Sequence, residues 1–324
     1  MCSMRRSTSN VLRDPAVPNT TIPARGANVS VSERVTLKHR LEYAAVRVFA
    51  FVARVLPRRA ALAFGRGVGT LVGKLWKRRR AIAHENIARA YGDTLNDTEI
   101  NAIVRQTFQT MGQTAVETLR FGRTRQNELL ERVDGDPTVL REAMERQKGA
   151  VLVSGHFGNW EVFGAWIRAL GYEIDVVVKP MRNPLVDAFY NRCRAAMGVG
   201  VIHTQVATKG IVRSLARKRF VAILADQYTG AEGIDVEFFG RPASTPRGPA
   251  ALAVRFGCPI LSGVLEQYQN GRFSTFIDGP IVYDATGDTE RDVRTITQEL
   301  TTRLEQHVRR SPGQWLWTHR RWRD

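Results

Sequence analysis

Several chemistries are excluded by what this chain does not contain. Its 324 residues include three cysteines, Cys2, Cys193 and Cys258. An odd, scattered set builds no disulfide framework and fits a reducing compartment. There is no Cys-x-x-Cys pair and no His-Glu-x-x-His, so a metal is not expected. There is no P-loop, and no Gly-x-Gly-x-x-Gly follows a strand-like run, so a nucleotide cofactor is not expected either. A Gly-x-Ser-x-Gly elbow is missing, and Cys193 and Cys258 lie in no nucleophile motif. Acidic residues are scarce: 31 Asp and Glu stand against 48 Lys and Arg, a net charge of +17. With a pI near 10.6, such a surface seeks nucleic acid, anionic lipid or an acidic protein.

The organisation follows from composition and periodicity. Residues 1–38 are rich in Ser, Thr, Asn, Pro and Arg and read as a disordered basic extension without the apolar centre of a secretory signal. Residues 39–56 and 60–76 read as helices separated by Pro57. The apolar run Tyr43 to Leu56 is shorter than the roughly 20 residues that span a bilayer. Gly65, Gly69 and Gly73 line one face of the second helix, a spacing that lets helix backbones approach closely in membrane or in protein. Between Tyr43 and His84 there are ten Lys or Arg and no Asp or Glu. The pair therefore reads as a hairpin on an anionic membrane surface; the alternatives are an ordinary buried helix pair, or a bilayer span by the first helix that would need Arg47 and Arg54 to snorkel. Residues 81–121 read as helical, with Asp97 as N-cap, and 122–148 add a polar helix. From 150 onward strands and helices alternate. The expectation is an α/β fold with a mixed, largely parallel sheet flanked by helices, divided as 1–38, 39–80 and 81–324.

Chemistry concentrates in Gly149-Ala-Val-Leu-Val-Ser-Gly-His156-Phe-Gly-Asn-Trp-Glu161. A buried strand ends in a Gly-rich turn that presents His156, and Glu161 falls in the first turn of the next helix. A neutral imidazole takes a proton from a hydroxyl near neutral pH, and a carboxylate on its other nitrogen fixes the tautomer. His156 and Glu161 are thus the candidate base and orienter. Alternatively, His156 caps a turn and Glu161 serves the helix dipole. A second strand, Phe220 to Ala225, ends in Asp226-Gln227. If it neighbours the first, both ends face one crevice; Asp226 then orients a residue, contacts substrate or caps a turn. Arg247 and Gly248 stand near a helix start suited to phosphate or an oxyanion, with Thr245 as N-cap and Pro246 at N1 as the structural reading. Arg182 and Asn183 follow another strand end; Arg182 would bind phosphate or hold Glu161 ionised. Of Arg192 and Arg194, two apart on a helix, at most one faces the site. The tail Gln314-Trp-Leu-Trp317-Thr-His319-Arg320-Arg321-Trp322 mixes aromatics and cations, which suits a membrane interface or stacked bases.

Together these segments resemble the bacterial lipid A biosynthesis (lauroyl/myristoyl) acyltransferases, within the lysophospholipid acyltransferase superfamily. The likeness runs over roughly residues 40–322. It is carried by Leu56-Pro-Arg-Arg with Leu75-Trp-Lys-Arg-Arg-Arg80 and Glu85-Asn86-Ile; by the His156-x4-Glu161 pair; by Asp226-Gln227 with Phe238-Phe-Gly240 and Thr245-Pro-Arg-Gly248; and by Ser311-Pro-Gly-Gln-Trp-Leu-Trp-Thr-His-Arg-Arg-Trp322. Gly313 departs from the Glu common there. The Phe-Pro-Glu-Gly-Thr block of the glycerolipid branch is absent. The resemblance implies an O-acyltransferase on the cytoplasmic face of the inner membrane. It would use an acyl carrier protein or coenzyme A thioester as co-substrate and no resident cofactor. The acceptor would be a hydroxyl of an anionic glycolipid, a lipid A precursor first; the alternatives are a mannosylated phosphatidylinositol, as in actinobacterial relatives, or a lysophospholipid. The reading of another class is a basic nucleic-acid-binding protein, for which no helix-turn-helix, RRM or KH signature is present.

Overall fold

The computed structural model describes residues 35–323. The expected extension over 1–38 lies outside the described residues as far as Arg34, and its last two residues already belong to a helix. Helices α1 (Leu37–Val55), α2 (Arg58–Leu75), α3 (Lys77–Tyr91) and α4 (Asp97–Arg120) precede the sheet. Asn96 caps α4, its side-chain oxygen accepting from Thr98 N and Glu99 N while its own backbone N–H donates to the Glu99 carboxylate. Asp97, the expected cap, is the first helical residue instead, because Asn96 completes the capping box with Glu99. The polar helix expected over 122–148 is two short ones, α5 (Gln126–Arg132) and α6 (Thr138–Glu145), with β1 (Val133–Asp134) between them.

The sheet then builds by alternation: β2 (Ala150–Ser154), α7 (Trp160–Ala169), β3 (Ile174–Val178), α8 (Pro184–Ala196), β4 (Gly200–His203), α9 (Ala207–Ala216) and β5 (Phe220–Leu224). A two-stranded antiparallel hairpin follows, β6 (Ile234–Phe238) and β7 (Arg241–Thr245), then α10 (Gly248–Phe256), β8 (Ile260–Gln267), β9 (Phe273–Asp278) and α11 (Thr289–Arg310). The strand order is β1-β9-β8-β2-β5-β3-β4. All neighbours are parallel except β8 and β9. The expected α/β fold with a mixed, largely parallel sheet is what the chain forms.

Side chains alternate across β2 as a pleated strand requires. Ala150 and Leu152 face α7, α8 and the end of α4; Val151 and Val153 face α9, α10 and α11. In the hairpin Ile234, Val236 and Phe238 alternate inward with Asp235 and Glu237 outward. Its edge is satisfied by α11: Gln298 both accepts from Glu237 N at 2.7 Å and donates to Glu237 O at 3.0 Å.

Residues 35–323 belong to one compact unit, so α1 and α2 are part of the body that carries the sheet. The glycine face of α2 lies on α4 rather than on lipid. A Cβ added at Gly69 would stand 2.1 Å from Phe108 O, and one at Gly112 would stand 2.0 Å from Gly65 O. The helices therefore touch backbone to backbone. Gly69→Ala should destabilise the protein by about 3 kcal/mol, the upper end for overpacking. Gly67→Ala, where a Cβ meets nothing within 4 Å, should stabilise it by up to about 1 kcal/mol through helix propensity. Urea unfolding of the two variants checks both signs.

Candidate active site

Register brings the two strand ends together. In the parallel pair β2 and β5, Ser154 lies opposite Leu224, and Ala225 N donates to Ser154 O at 3.0 Å. His156 and Asp226 each stand two residues beyond that matched couple. The turn after β2 is held from both sides: Gly158 N donates to Gln314 O at 2.8 Å and Asn159 N to Leu265 O at 3.0 Å. Gly158 adopts a φ of +55°, and a Cβ there would lie 1.9 Å from Leu265 O, so only glycine serves. Asn159 then caps α7 through Val162 N.

His156 Nδ1 lies 2.7 Å from Asp226 Oδ1, and the backbone N–H of His156 donates to Asp226 Oδ2 at 2.8 Å. The indole N–H of Trp315 donates to the same Oδ2 at 2.8 Å. The Asp226 side chain is 2 % exposed and that of His156 21 %. Burial pushes the Asp226 carboxyl up. The charge of His156, the bonds from its ring and backbone, and the Trp315 indole outweigh this and hold it at about 2. Asp226 is therefore ionised at neutral pH, and Nδ1 of His156 is fixed as a donor to it. No described residue hydrogen-bonds Nε2 of His156; the edge of Trp160 flanks the ring at 5.1 Å between centroids. This arrangement can take a proton at Nε2 and stabilise the imidazolium that results.

Glu161 is not the carboxylate on His156. It forms a two-point ion pair with Arg194 of α8, at 2.9 Å to Nε and 2.5 Å to Nη2. The first turn of α7 points it towards α8, and Asp226 occupies the imidazole side. Arg194 takes the part expected of Arg182. Arg182 is exposed and lines a separate cleft with Trp76 and His319. Asn183 caps α8 and donates from Nδ2 to His39 O and Glu42 Oε2 of α1, both at 2.9 Å. Arg247 pairs with Glu290 on α11, and Gly248 is exposed with open space around it. Thr245 ends β7 and does not cap α10, whose N-cap is Arg247. Gln227 is half-buried next to Asp226, and no described residue hydrogen-bonds its side chain.

The tail was the segment least well read. Trp315, Trp317 and Trp322 are buried, with 2 %, 0 % and 8 % exposure, and pack with Phe238 and Phe239. They form no surface belt and no stacking platform. Leu316 N donates to His156 O at 3.0 Å, and Asn86 Nδ2 of α3 donates to Trp317 O at 2.7 Å and His319 O at 2.6 Å. Arg321 is buried over Phe238, donating to Ser244 O at 2.7 Å and to Thr245 Oγ1. Burial lowers its pKa to about 10, against the pull of Asp226. Beneath the pair, Gly155, Asp226, Thr245 and Arg321 border a cavity closed by Val153, Leu300 and Leu304. Its volume of about 20 Å³ suits one water molecule rather than a fatty chain. Among the described residues no group of His, Cys, Asp and Glu is placed to hold a metal ion.

With His156, Asp226, Asn86 and the tail gathered at one place, the four resembling segments meet in space. The sequence pattern described as bacterial lipid A biosynthesis acyltransferase matches residues 33–324. The chain belongs to that family. Among curated proteins it is 29% identical over 197 residues to a phosphatidylinositol mannoside acyltransferase of Mycobacterium tuberculosis, covering 60% of each chain. The match thus spans about three fifths of that relative's length. It is 24% identical to the protein of the same name from Mycolicibacterium smegmatis over 73% of this chain and 77% of that one. It is 23% identical to the lipid A biosynthesis palmitoleoyltransferase of Escherichia coli K12 over 80% and 83%. The His156-x4-Glu161 pair thus joins a histidine at the two strand ends to a carboxylate that braces α7 on α8.

Glu161→Gln should cost about 3–5 kcal/mol, because it leaves the buried Arg194 guanidinium without its counter-charge. Adding Arg194→Met should recover much of that loss. Chemical denaturation of the single and double variants measures it; a double variant no more stable than the single one would mean that Glu161 stabilises by other contacts.

Proposed function

We propose that this protein transfers a fatty acyl group from a thioester to a hydroxyl of a phosphorylated glycolipid at the cytoplasmic face of the inner membrane. The observation that carries the reading is the His156–Asp226 pair at adjacent strand ends, with Nε2 of His156 free. Nε2 takes the proton of the acceptor hydroxyl as its oxygen attacks the thioester carbonyl. The tetrahedral intermediate collapses by breaking the C–S bond. The departing thiolate takes the proton from the imidazolium and leaves as a thiol, so the enzyme returns to its starting state. Asp226 is the orienter and charge partner throughout. Glu161 acts only through Arg194, by holding the helix that follows the histidine turn.

The donor is an acyl carrier protein or coenzyme A thioester; an acidic carrier suits the net charge of +17. Lipid A precursors and phosphatidylinositol mannosides are the acceptors to test, since relatives named for both match the chain. His156→Ala should lower acyl transfer by about 100-fold or more. Asp226→Asn should lower it by up to about 10⁴-fold, because the amide favours the wrong imidazole tautomer. Transfer of labelled acyl groups from both donors into total membrane glycolipid, with circular dichroism of each variant, reads this out. Full activity in a folded His156→Ala variant would end the proposal.

The membrane part of the reading is supported by the outward face of α1 and α2. Leu37, Leu41, Val48, Phe51, Val55, Leu71 and Leu75 are each more than half exposed. Arg40, Arg47, Arg59, Lys74 and Lys77 stand exposed among them. Arg54 turns inward instead, donating to Leu119 O at 2.7 Å. No helix among the described residues is long and apolar enough to cross a membrane, so this face is proposed to lie on the bilayer. Phe51→Glu with Leu75→Glu should reduce retention on anionic liposomes at least about tenfold, given the apolar area withdrawn. Salt should weaken wild-type retention. Stronger retention on DNA than on liposomes at equal ionic strength would favour the nucleic-acid reading.

A further inference from the structure

A cleft of about 510 Å³ opens beside the active site and plays no part in the proton transfer. Five arginines line it, Arg78, Arg79, Arg182, Arg320 and Arg323, together with Trp76 and His319; no carboxylate does. They come from three remote parts of the chain: the start of α3, the segment after β3, and the tail. Arg79 is anchored by its bond to Thr318 O at 2.9 Å and lies 5.6 Å over the Trp76 ring. Arg323 lies 4.6 Å over the Tyr228 ring. Among the described residues, Arg78, Arg182 and Arg320 have no hydrogen-bond or ion-pair partner for their guanidinium groups.

Gathering five cations in a concave surface raises their mutual repulsion unless an anion joins them. The helix adds to the effect. The first turn of α3 carries Lys77, Arg78, Arg79 and Arg80, no acidic residue, and no side-chain cap at Trp76. That is the positive end of the helix dipole, where cations are unfavourable and anions are favoured. His319 connects the cleft to the catalytic pair. Its carbonyl is held by Asn86. Its ring is pushed down to about 4 by burial, against the pull of Asp226 and with the repulsion of His156, Arg323 and Arg79. The tail that supplies His319 and Arg320 also touches the reaction centre, because Leu316 N donates to His156 O at 3.0 Å and the Trp315 indole donates to Asp226 at 2.8 Å.

We propose that this cleft binds a phosphate ester carried by one of the two reactants, through the guanidinium groups of Arg78, Arg182 and Arg320. Planar guanidinium forks match phosphate oxygens, and several together suit a multiply charged group. The identity of the bearer rests on the acyl-transfer reading: coenzyme A or phosphopantetheine on the donor side, a phosphoglycolipid on the acceptor side. The phosphate chemistry itself does not depend on that reading.

The test uses the full chain in three forms: wild type, Arg78→Ala/Arg320→Ala, and Arg105→Ala/Arg213→Ala. The last pair removes the same charge from exposed positions elsewhere, and circular dichroism checks all three. Calorimetric titration with inorganic pyrophosphate should show one saturable site in wild type and control. Its dissociation constant should rise at least about tenfold in the cleft variant, as expected for two lost charge-assisted contacts. Equal affinity in all three overturns the proposal. Steady-state kinetics then separates the sources. A KM raised for acyl coenzyme A but not for a phosphate-free N-acetylcysteamine thioester assigns the donor. A KM raised for the phosphorylated glycolipid but not for its dephosphorylated form assigns the acceptor. Lost pyrophosphate binding with neither KM changed overturns a role for reactants. A wild type that transfers no acyl group overturns the acyl-transfer reading alone, and the titration still decides whether the cleft binds phosphate.

Discussion

The buried carboxylate of Asp226 is the constraint around which the rest of the structure is arranged. An ionised carboxylate removed from water costs several kcal/mol unless its lone pairs are met. Here three donors meet them: two from His156 and one from Trp315. These donors come from the end of β2 and from the tail, and the carboxylate from the end of β5. The charge is tolerable only when all three segments are in place. Assembly of the site and closure of the core are therefore one event, which ties the histidine geometry to global stability.

A second buried carboxylate plays a purely mechanical part at the start of α2. Glu117 of α4 accepts from Arg58 at the start of α2 and from Arg132 at the end of α5, the latter at 3.2 Å. Burial pushes its carboxyl up, and Arg58 and Arg120 work against that. Together with the glycine contact between α2 and α4, this ion cluster fixes the leading helices on the sheet-bearing body. The inner face of α2 is consumed by backbone contact and that of α1 by small residues such as Ala50 and Ala53. Leu62, Val46 and Phe49 pack inward, while Leu41, Phe51, Leu71 and Leu75 are left outside.

Most of the fold was legible because its signals are local. The apolar runs at 150–153 and 220–225, the alternation of strand and helix, and the break at Pro57 lie within short windows. The site was half legible. His156 and Asp226 were each visible as strand-end polar residues, but their partnership spans seventy positions and depends on which strands pair. Glu161, near in sequence, looked like the natural partner; only the direction of the first turn of α7 sends it to Arg194. The β6–β7 hairpin was hidden because only β6 alternates; its partner Arg241-Pro-Ala-Ser-Thr245 holds a proline and a single apolar residue, so it carries no strand period of its own. The tail misled for a different reason. Trp with Arg describes a membrane belt, a base-stacking surface or a buried aromatic cluster equally well. Asn86 and Asp226, the groups that draw the tail inward, lie far back in the chain.

The parallel register of β2 and β5 has one more consequence. His156 and Asp226 each extend two residues past the same hydrogen-bonded couple, Ser154 and Leu224. Their spacing is set by a ladder of backbone bonds rather than by loop conformation. Side-chain replacements along either strand leave that ladder intact. A single-residue insertion or deletion after either strand would shift one partner by about 3.3 Å and turn its side chain to the other face. The site is thus built to absorb substitution and to fail on a change of length, so variation among working relatives of this protein should be confined to the former across these two strand ends.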